Sequence, residues 1–194
     1  MSDAIFNAFL ERQLEEATTL ARQSDMLDLL PFGDPADRFI ARFTCRGLVR
    51  QPSGAIEEAE AFAVGIWFPS DYLRRVNPFD VLTWLGPRNV WHPNISDTQP
   101  IICVGRLVPA TGLVDILMQV WEQITWRKFN LADALNPAAS EWARQHFSRL
   151  PVDTRALKRR RLDLRVEEAT TRKDATTSRE LGLEIHPAHS GERR

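Results

Sequence analysis

Residues 91–105 read WHPNISDTQPIICVG and carry more information about the chain than any other stretch. Their first part, from His92 to Ile95, places a proline beside an asparagine, a combination that favours a turn. Cys103 follows nine residues after Asn94, between an isoleucine and a valine. Strand-like sequence precedes the stretch and helical sequence follows it, so the turn and the cysteine lie where a predicted sheet gives way to helices.

Two segments upstream alternate apolar and polar residues with the two-residue period of a β-strand. The turn-forming residues 51–54, QPSG, separate them, and a third strand is predicted over residues 81–85. Because the connections are short, an antiparallel meander of about four strands is expected. The apolar positions are Phe39, Ala41, Phe43 and Cys45 in the first segment and Phe62, Val64, Ile66 and Phe68 in the second.

Helical periodicity flanks the strand region on its N-terminal side. The pattern predicts a helix of about twenty residues, with Ser2 or Asp3 as the cap. Residues 30–35, LPFGDP, are expected to break the pattern because proline and glycine disfavour a helix. The apolar stripe of this helix comprises Ile5, Phe6, Phe9, Leu10, Leu14, Ala17 and Ala21.

Two more helices are predicted after residue 110. Thr111 is placed to cap the first, which has the strongest helical pattern of the chain, and Asn136 caps the second, with Pro137 at its first position. Strands grouped together with helices on the flanks indicate the α+β class. The apolar stripes comprise Leu113, Ile116, Leu117, Val120, Trp121 and Ile124 in the first helix and Ala139, Ala143, Phe147 and Leu150 in the second.

The composition excludes several classes of protein. A chain of 194 residues with 43% apolar and 26% charged residues fits one globular domain with appendages. No apolar run approaches the ~20 residues of a membrane span, and the acidic, amphipathic start is unlike a signal peptide, so a cytoplasmic location is expected. Two cysteines and four histidines argue against a disulfide framework and a four-ligand zinc site. No cofactor or metal is expected.

The charge is distributed unevenly along the chain. Residues 151–194 contain 11 basic and 8 acidic residues and carry +3, whereas residues 1–150 carry −4. The sequence therefore predicts a catalytic domain over 1–150 and a basic C-terminal helix or tail over 151–194, partly mobile because it buries little apolar surface. The basic cluster at 158–161, KRRR, has two readings, a contact for nucleic acid or an acidic partner and, more commonly, a solvated helix face.

The tetrapeptide His92-Pro93-Asn94-Ile95, followed by Ile102-Cys103, resembles the active-site segment of ubiquitin-conjugating enzymes, the UBC fold family. The resemblance covers roughly residues 1–150. Residues 68–72, FPSDY, are similar to the FP-x-DY motif at a strand end, and residues 130–135, NLADAL, stand where the family often has N-x-x-DPL. The implied fold is an N-terminal helix, an antiparallel meander of about four strands, and helices after the active-site loop.

Several positions depart from the family's pattern. Leu73 stands where a proline is usual, residues 81–92 are about three residues longer, and the spacing from Asn94 to Cys103 is one residue longer. The loop after Cys103 is shorter and has Leu107 and Val108 where a tryptophan is usual. These departures resemble divergent bacterial members, and 3 Lys against 22 Arg indicates a GC-rich genome.

The resemblance implies that Cys103 accepts the C-terminus of a ubiquitin-like protein from an activating enzyme and holds it as a thioester. A thiol suits this task because it exchanges acyl groups without a strong base beside it. The alternative is that Cys103 is a small buried apolar residue, the interpretation that also fits Cys45 on the buried face of a strand.

Three further residues belong to the implied catalytic set. Asn94 either stabilises the oxyanion formed during transfer or fixes the turn through backbone hydrogen bonds. His92 is expected to hold the loop, with proton transfer as its alternative role. Asp133 matches the family's acidic gate residue, which orients the attacking amine or accepts its proton, unless it is only a surface charge or a helix cap.

The resemblance also implies the partners: an activating enzyme, a ubiquitin-like protein and a target protein. The activating enzyme is expected to contact the first helix, and bacterial relatives are typically encoded beside a JAB-type peptidase in antiphage defence. Nucleic acid and membrane are not expected partners. Two other functions stay open, a catalytically silent adaptor that binds ubiquitin-like proteins and a cysteine hydrolase that uses Cys103 and His92. The exposed residues expected to make the helix contact are Glu11, Arg12, Glu15 and Glu16.

Overall fold

The computed structural model describes residues 3–158. It confirms the α+β class, with an N-terminal helix, a four-stranded antiparallel sheet and further helices. Within the described range, no helix combines the length and the apolar content that a membrane crossing requires. The elements are α1 (Ala4–Arg22), β1 (Leu27–Gly33), β2 (Ala36–Arg50), β3 (Ile56–Trp67), α2 (Pro78–Val81), β4 (Leu82–Gly86), α3 (Leu113–Ile124) and α4 (Pro137–Gln145), followed by a short 3₁₀ helix (Phe147–Arg149).

The sheet has the order β1-β2-β3-β4, with each strand antiparallel to its neighbour in sequence. The alternating residues predicted to face the core do so, because each of the eight is at most 3% exposed. Phe43 and Phe62 lie opposite each other in the β2–β3 register, so the two strands contribute facing aromatic rings to one buried layer.

Strand β1 occupies a segment that was expected only to break the first helix. The helix does end at Arg22, but most of the 30–35 stretch continues as strand and turn. Pro31 is tolerated because β1 lies at the edge of the sheet, where a strand can lack one hydrogen-bond donor. The predicted third strand begins one residue later than expected, since Val81 closes α2 and β4 starts at Leu82.

Helices α1 and α3 pack together through a contact that the sequence did not indicate. Gln13, only 1% exposed, accepts a hydrogen bond at Oε1 from the Leu113 backbone amide at 2.7 Å and so caps α3. The expectation that Thr111 caps this helix was wrong, because its hydroxyl donates instead to the Val108 carbonyl. Ile5, assigned to the buried stripe of α1, is 74% exposed and lies outside the core.

Helix α4 covers a second, smaller core. Asn136 caps it as predicted, accepting at Oδ1 from the Ala139 amide. Phe147, predicted to continue the buried stripe, lies beyond the end of α4 at Gln145 and is 67% exposed, so that expectation was wrong. The buried members of this core are Leu48, Trp91, Trp126, Ala139 and Ala143.

The chain after α4 returns to the sheet before the described part ends. Asp153, 2% exposed, accepts hydrogen bonds from the Arg46 amide at 3.2 Å and from the Arg155 guanidinium at 2.6 Å. Hydrogen bonds from the Arg155 guanidinium, and from the backbone amides of Arg155 and Arg46, hold the pKa of this carboxyl well below its usual range. Leu157 is fully buried. Of the basic cluster at 158–161 only Lys158 is described, so the predictions for the tail beyond it lie outside the described residues.

Asp153→Asn is expected to lower the free energy of unfolding at pH 7 by about 1–3 kcal/mol, because it weakens charge-assisted hydrogen bonds to a buried carboxylate. A carboxyl with a lowered folded-state pKa stabilises the fold fully above its unfolded value of ~3.9, and this contribution starts to decline below that value and is lost as the pH falls to the folded-state pKa. Urea unfolding from pH 7 to pH 3 should therefore show the variant and the parent converging in acid. A difference that stays constant over this range would contradict the prediction.

Candidate functional site

The turn and the cysteine are held together by a short antiparallel ladder. The Cys103 amide donates to the Asn94 carbonyl at 2.9 Å, Ile95 and Ile102 form a bridge, and the Ser96 amide donates to the Ile101 carbonyl at 2.9 Å. Ile95 and Ile102 are both fully buried and anchor the ladder in the core. Asn94 and Cys103 are therefore adjacent because of backbone pairing across the loop.

Cys103 is the partly exposed one of the two cysteines. It lines a cleft of about 200 Å³ at the protein surface. Cys45, by contrast, is fully buried, and burial raises the pKa of its thiol to about 12, which excludes a reactive thiolate at neutral pH. The cleft is lined by Asn94, Cys103, Val104, Gly105, Gln123, Lys128, Phe129, Asn130 and Asp133.

The Asn94 side chain is committed to the loop that follows α3. Its Oδ1 accepts from the Asn130 amide at 2.7 Å, and its Nδ2 donates to the carbonyls of Asn130 at 3.0 Å and Asp133 at 3.5 Å. Asn94 is 1% exposed, so its amide group is buried among these contacts. Of the two roles left open for Asn94, these contacts with the loop backbone are the ones that a positioning role requires.

Asp133 reaches the cleft through this same loop. Asn130 Oδ1 accepts from the amides of Ala132 and Asp133, which folds the segment into an Asx-type turn. The Asn136 amide donates to the Pro93 carbonyl at 3.0 Å and ties the end of the loop to the start of the turn. The Asp133 side chain is exposed at the rim of the cleft. It does not cap α4, because Asn136 caps that helix.

His92 lies behind the cleft and does not line it. It is 1% exposed, its Nδ1 accepts from the Asn94 amide at 3.1 Å, and its ring packs 4.5 Å from that of Trp126. Burial lowers the pKa of this imidazole to about 3, so the ring is neutral at physiological pH. The neutral ring thus contacts the backbone of the turn and lies outside the cleft that Cys103 lines.

The buried His92 predicts a specific loss of stability in mild acid. An unfolded histidine takes up a proton near pH 6.5, whereas folded His92 resists protonation until far lower pH. Its contribution is complete above pH 6.5 and falls by about 1.36 kcal/mol per unit below it, or about 2 kcal/mol by pH 5. His92→Asn keeps an acceptor for the Asn94 amide and removes the titration.

Chemical unfolding between pH 7 and pH 5 tests this expectation, and NMR of the imidazole nitrogens measures the protonation directly. The parent should lose more stability than His92→Asn over this interval, with His92 still neutral at pH 5. A His92 resonance that titrates near pH 6.5 would contradict the assignment.

The cleft residues that sequence reasoning missed include Gln123 and Lys128. Gln123 is 3% exposed, and its Nε2 donates to the Cys103 carbonyl at 2.7 Å, which orients the backbone at the cysteine. A signal was available, because Gln123 is a polar residue three positions after Val120 on the apolar stripe of α3. Lys128 carried no comparable signal, since its place depends on how the chain turns after the helix.

The structure thus brings Cys103, Asn94 and Asp133 to one cleft and places His92 behind it. A thiol, a carboxylate and an ammonium group line this small space, a set suited to acyl exchange at sulfur followed by attack of an amine. Within residues 3–158, no group of three or more histidine, cysteine or carboxylate side chains is placed to hold a metal ion.

Comparison with solved structures identifies the fold. A structure described as a novel ubiquitin-conjugating enzyme has a TM-score of 0.51 and 16% sequence identity, over 74% of this chain and 88% of that chain. The E2 domain of a ubiquitin-conjugating enzyme of Toxoplasma gondii has a TM-score of 0.48 and 18% identity, over 74% of this chain and 90% of its own. No family model matches the sequence, and no curated protein is detectably similar. The first of these structures shares the fold with this chain, as the UBC-like expectation requires.

Proposed function

We propose that this chain is a conjugating enzyme for a ubiquitin-like protein, with Cys103 as the thioester carrier. The observation that carries the proposal is the partly exposed Cys103 in a cleft shared with Asp133, within a UBC-like fold. The tag's C-terminal carbonyl passes from a thioester of the activating enzyme to Cys103 Sγ, which releases the activating enzyme's thiol. A target amine then attacks the carbonyl, forms an amide and releases the Cys103 thiol.

The roles of the other cleft residues follow from their contacts. Asp133, exposed at the rim, orients the incoming amine and accepts its proton, a task for which its side chain is free to move. Asn94 is a positioning residue that holds the loop bearing Asp133. His92 supports the backbone of the turn from behind. With these roles, the site carries an acyl group that the activating enzyme has already activated.

Two other functions lead to different experimental results. A cysteine hydrolase needs a base beside Cys103, and the burial and low pKa of His92 disfavour that function. A silent adaptor would bind a ubiquitin-like protein without a covalent step, and the partly exposed Cys103 favours the enzyme over the adaptor. The two are separated by whether an adduct forms on the cysteine.

The outer surface of α1 is the proposed contact for the activating enzyme. Glu11, Arg12, Glu15 and Glu16 are exposed on this helix, and Arg12 lies 3.7 Å from Glu16. The bacterial origin, the cytoplasmic location, and the association with a JAB-type peptidase and antiphage defence stay predictions from the resemblance.

The test combines the purified chain with ATP, an activating enzyme and a ubiquitin-like protein. The expected result is a mass increase equal to one tag, seen on a non-reducing gel and removed by dithiothreitol. Binding of the tag with no adduct would identify an adaptor. Hydrolysis of a simple ester without any partner would identify a hydrolase, and either outcome would overturn the proposal.

A further inference from the structure

A groove crosses the surface where the β2–β3 turn approaches α4. Two clefts that are open to solvent form it, of about 540 and 550 Å³, and both are lined by Arg50 and Trp91. Its walls come mainly from the turn at 51–54, from residues 88–91 and from α4. We call this surface the Arg50 groove. None of its lining residues lines the cleft of Cys103.

Three arginines make the Arg50 groove electropositive. Arg50, Arg88 and Arg149 line it, and all three are exposed. Across residues 3–158, none of these guanidinium groups lies within 4.0 Å of a carboxylate, so none is neutralised by an ion pair. Residues 1–150 as a whole carry −4. The groove is therefore a basic strip on an acidic domain, which favours an anionic partner.

The carboxylates in the Arg50 groove do not offset these charges. Glu141 on α4 accepts from the Arg144 guanidinium at 3.1 Å and from Gln145 Nε2 at 2.8 Å, so its charge is balanced within the helix. The other described carboxylate that lines the groove is Asp97, in the loop that closes the ladder of Asn94 and Cys103. Three arginine charges against one from Asp97 leave the groove with +2.

The aromatic rings of the Arg50 groove are already covered. The Arg50 guanidinium lies 5.3 Å from the centre of the Trp91 ring, and Trp91 is only 6% exposed. The Trp142 ring is stacked on that of His146, with their centres 4.7 Å apart. A nucleic acid strand needs open aromatic faces on which its bases stack, whereas a carboxylate needs only the fork of an arginine. These contacts favour an acidic peptide over a nucleic acid.

Trp91 also supplies a donor that lacks an acceptor. Its Nε1 is buried, and no group in the described part of the chain accepts a hydrogen bond from it. A buried donor without a partner destabilises the free protein, so an acceptor brought by a ligand is favoured at this position. Arg50 lies over the ring and is exposed. A carboxylate that draws the guanidinium outward therefore gives such an acceptor access to the indole.

We propose that the Arg50 groove binds an extended acidic segment of a partner protein, whose carboxylates pair with Arg50, Arg88 and Arg149. An extended chain fits because the two clefts are open and adjoin, and arginine–carboxylate pairs are among the stronger hydrogen-bonded contacts. The groove reaches Asp97, so the partner is held beside the ladder that carries Cys103. This site goes beyond the proposed function and does not depend on the role of the cysteine.

The first test measures the binding of fluorescein-labelled peptides to the full chain by fluorescence anisotropy. One peptide alternates glutamate with serine, and its control alternates glutamine with serine. We expect the glutamate peptide to bind at least tenfold more tightly, because only its carboxylates pair with guanidinium groups. Equal affinity for the two peptides would overturn the inference.

Matched variants show whether the groove or the overall charge attracts the peptide. Arg50→Gln combined with Arg149→Gln should weaken the binding of the glutamate peptide at least fivefold. Arg42→Gln combined with Arg75→Gln removes the same two charges at exposed positions outside the groove and should weaken it less than twofold. Equal weakening by the two pairs would assign the binding to general electrostatic attraction and overturn the inference.

NMR of the indole N–H groups locates the peptide on the unaltered chain. The Trp91 resonance, assigned with Trp91→Phe, should shift as the glutamate peptide is added. The control is Trp67, whose Nε1 donates to Asp37 at 3.3 Å and whose resonance should stay in place. A Trp91 resonance that does not move when the peptide is saturating would contradict binding in the groove.

Two comparisons complete the test. A labelled oligothymidylate that binds more tightly than the glutamate peptide would identify a nucleic acid as the ligand and overturn the inference. Cys103→Ala should bind the glutamate peptide as the parent does, and loss of binding in this variant would place the peptide in the cleft and likewise overturn it. Neither outcome touches the carrier role of Cys103, which thioester formation measures separately.

Discussion

Cys103→Ser is expected to abolish the dithiothreitol-sensitive adduct completely when the chain is incubated with the activating enzyme, ATP and the tag. The serine hydroxyl either takes the acyl group as a thiol-resistant oxyester or does not react, because it is a weak nucleophile without an adjacent base. His92 does not supply such a base, because its ring is buried and its Nδ1 accepts from the Asn94 amide. Transfer to a free amine should fall to background in both cases.

Cys45 provides the matched control for this experiment. Its thiol is fully buried, so Cys45→Ala should leave adduct formation and transfer nearly intact. Cys45→Ser should also transfer, although a buried hydroxyl without a partner costs about 1–3 kcal/mol of stability. Measuring the transfer at a temperature where all variants are folded separates the two effects. Equal loss of transfer in the Cys45 and Cys103 variants would remove the assignment of Cys103 as the carrier.

Asn94→Ala should slow the transfer to an amine more than tenfold while reducing thioester formation much less. The substitution removes the side chain that accepts from the Asn130 amide and donates to the carbonyls of Asn130 and Asp133. The loop that carries Asp133 loses its anchor, and the free energy of unfolding should fall by about 1–3 kcal/mol. Thioester loading and single-turnover discharge to free lysine measure the two steps separately.

Hydrogen exchange distinguishes positioning from direct catalysis by Asn94. If the residue positions the loop, the amide of Asn130 should exchange faster in Asn94→Ala, because its acceptor is gone. Unchanged exchange together with lost discharge would favour an oxyanion role and contradict our assignment.

Asn94→Asp is a matched variant of the same size. It keeps an acceptor for the Asn130 amide, but an oxygen replaces Nδ2 and faces the two carbonyls to which Nδ2 donates. The buried carboxyl should have a raised pKa, because only its protonated form can donate to a carbonyl. The variant should therefore be less stable than Asn94→Ala at pH 7, and its stability relative to the parent should recover as the pH falls, which unfolding of both proteins at pH 7 and pH 5 would measure.

The elements with strong periodicity were predictable from the sequence. The alternation from Phe39 to Cys45 required one buried face, and all four of its apolar residues are at most 1% exposed. The stripe of α3 and the Asn136 cap were also predictable, because both depend on residues only a few positions apart. The turn and its cysteine could be recognised as one motif, since their adjacency is set by a local ladder.

The remaining features depend on contacts between distant parts of the chain. Strand β1 contains Pro31 and Gly33, which locally indicate a break, and only its pairing with β2 makes it a strand. Gln13 caps α3 across 100 residues, so the local pattern pointed to Thr111 instead. The partners of Asn94 lie 36 and 39 residues away, and no spacing in the sequence indicated them.

The ladder between Asn94 and Cys103 has a practical consequence for engineering. Its pairing ends at Ser96 and Ile101, so the residues between them form an exposed tip, and the Ser96 hydroxyl holds that tip by accepting from the amides of Thr98 and Gln99. The distance between the turn and the cysteine is fixed by the backbone pairs below the tip and not by the length of the tip. An epitope or a fluorophore-binding peptide inserted between Asp97 and Thr98 would break the Ser96 hydroxyl contacts of the tip but leave the backbone pairs below it in place, and would so give a reporter on the ladder that joins Asn94 to Cys103.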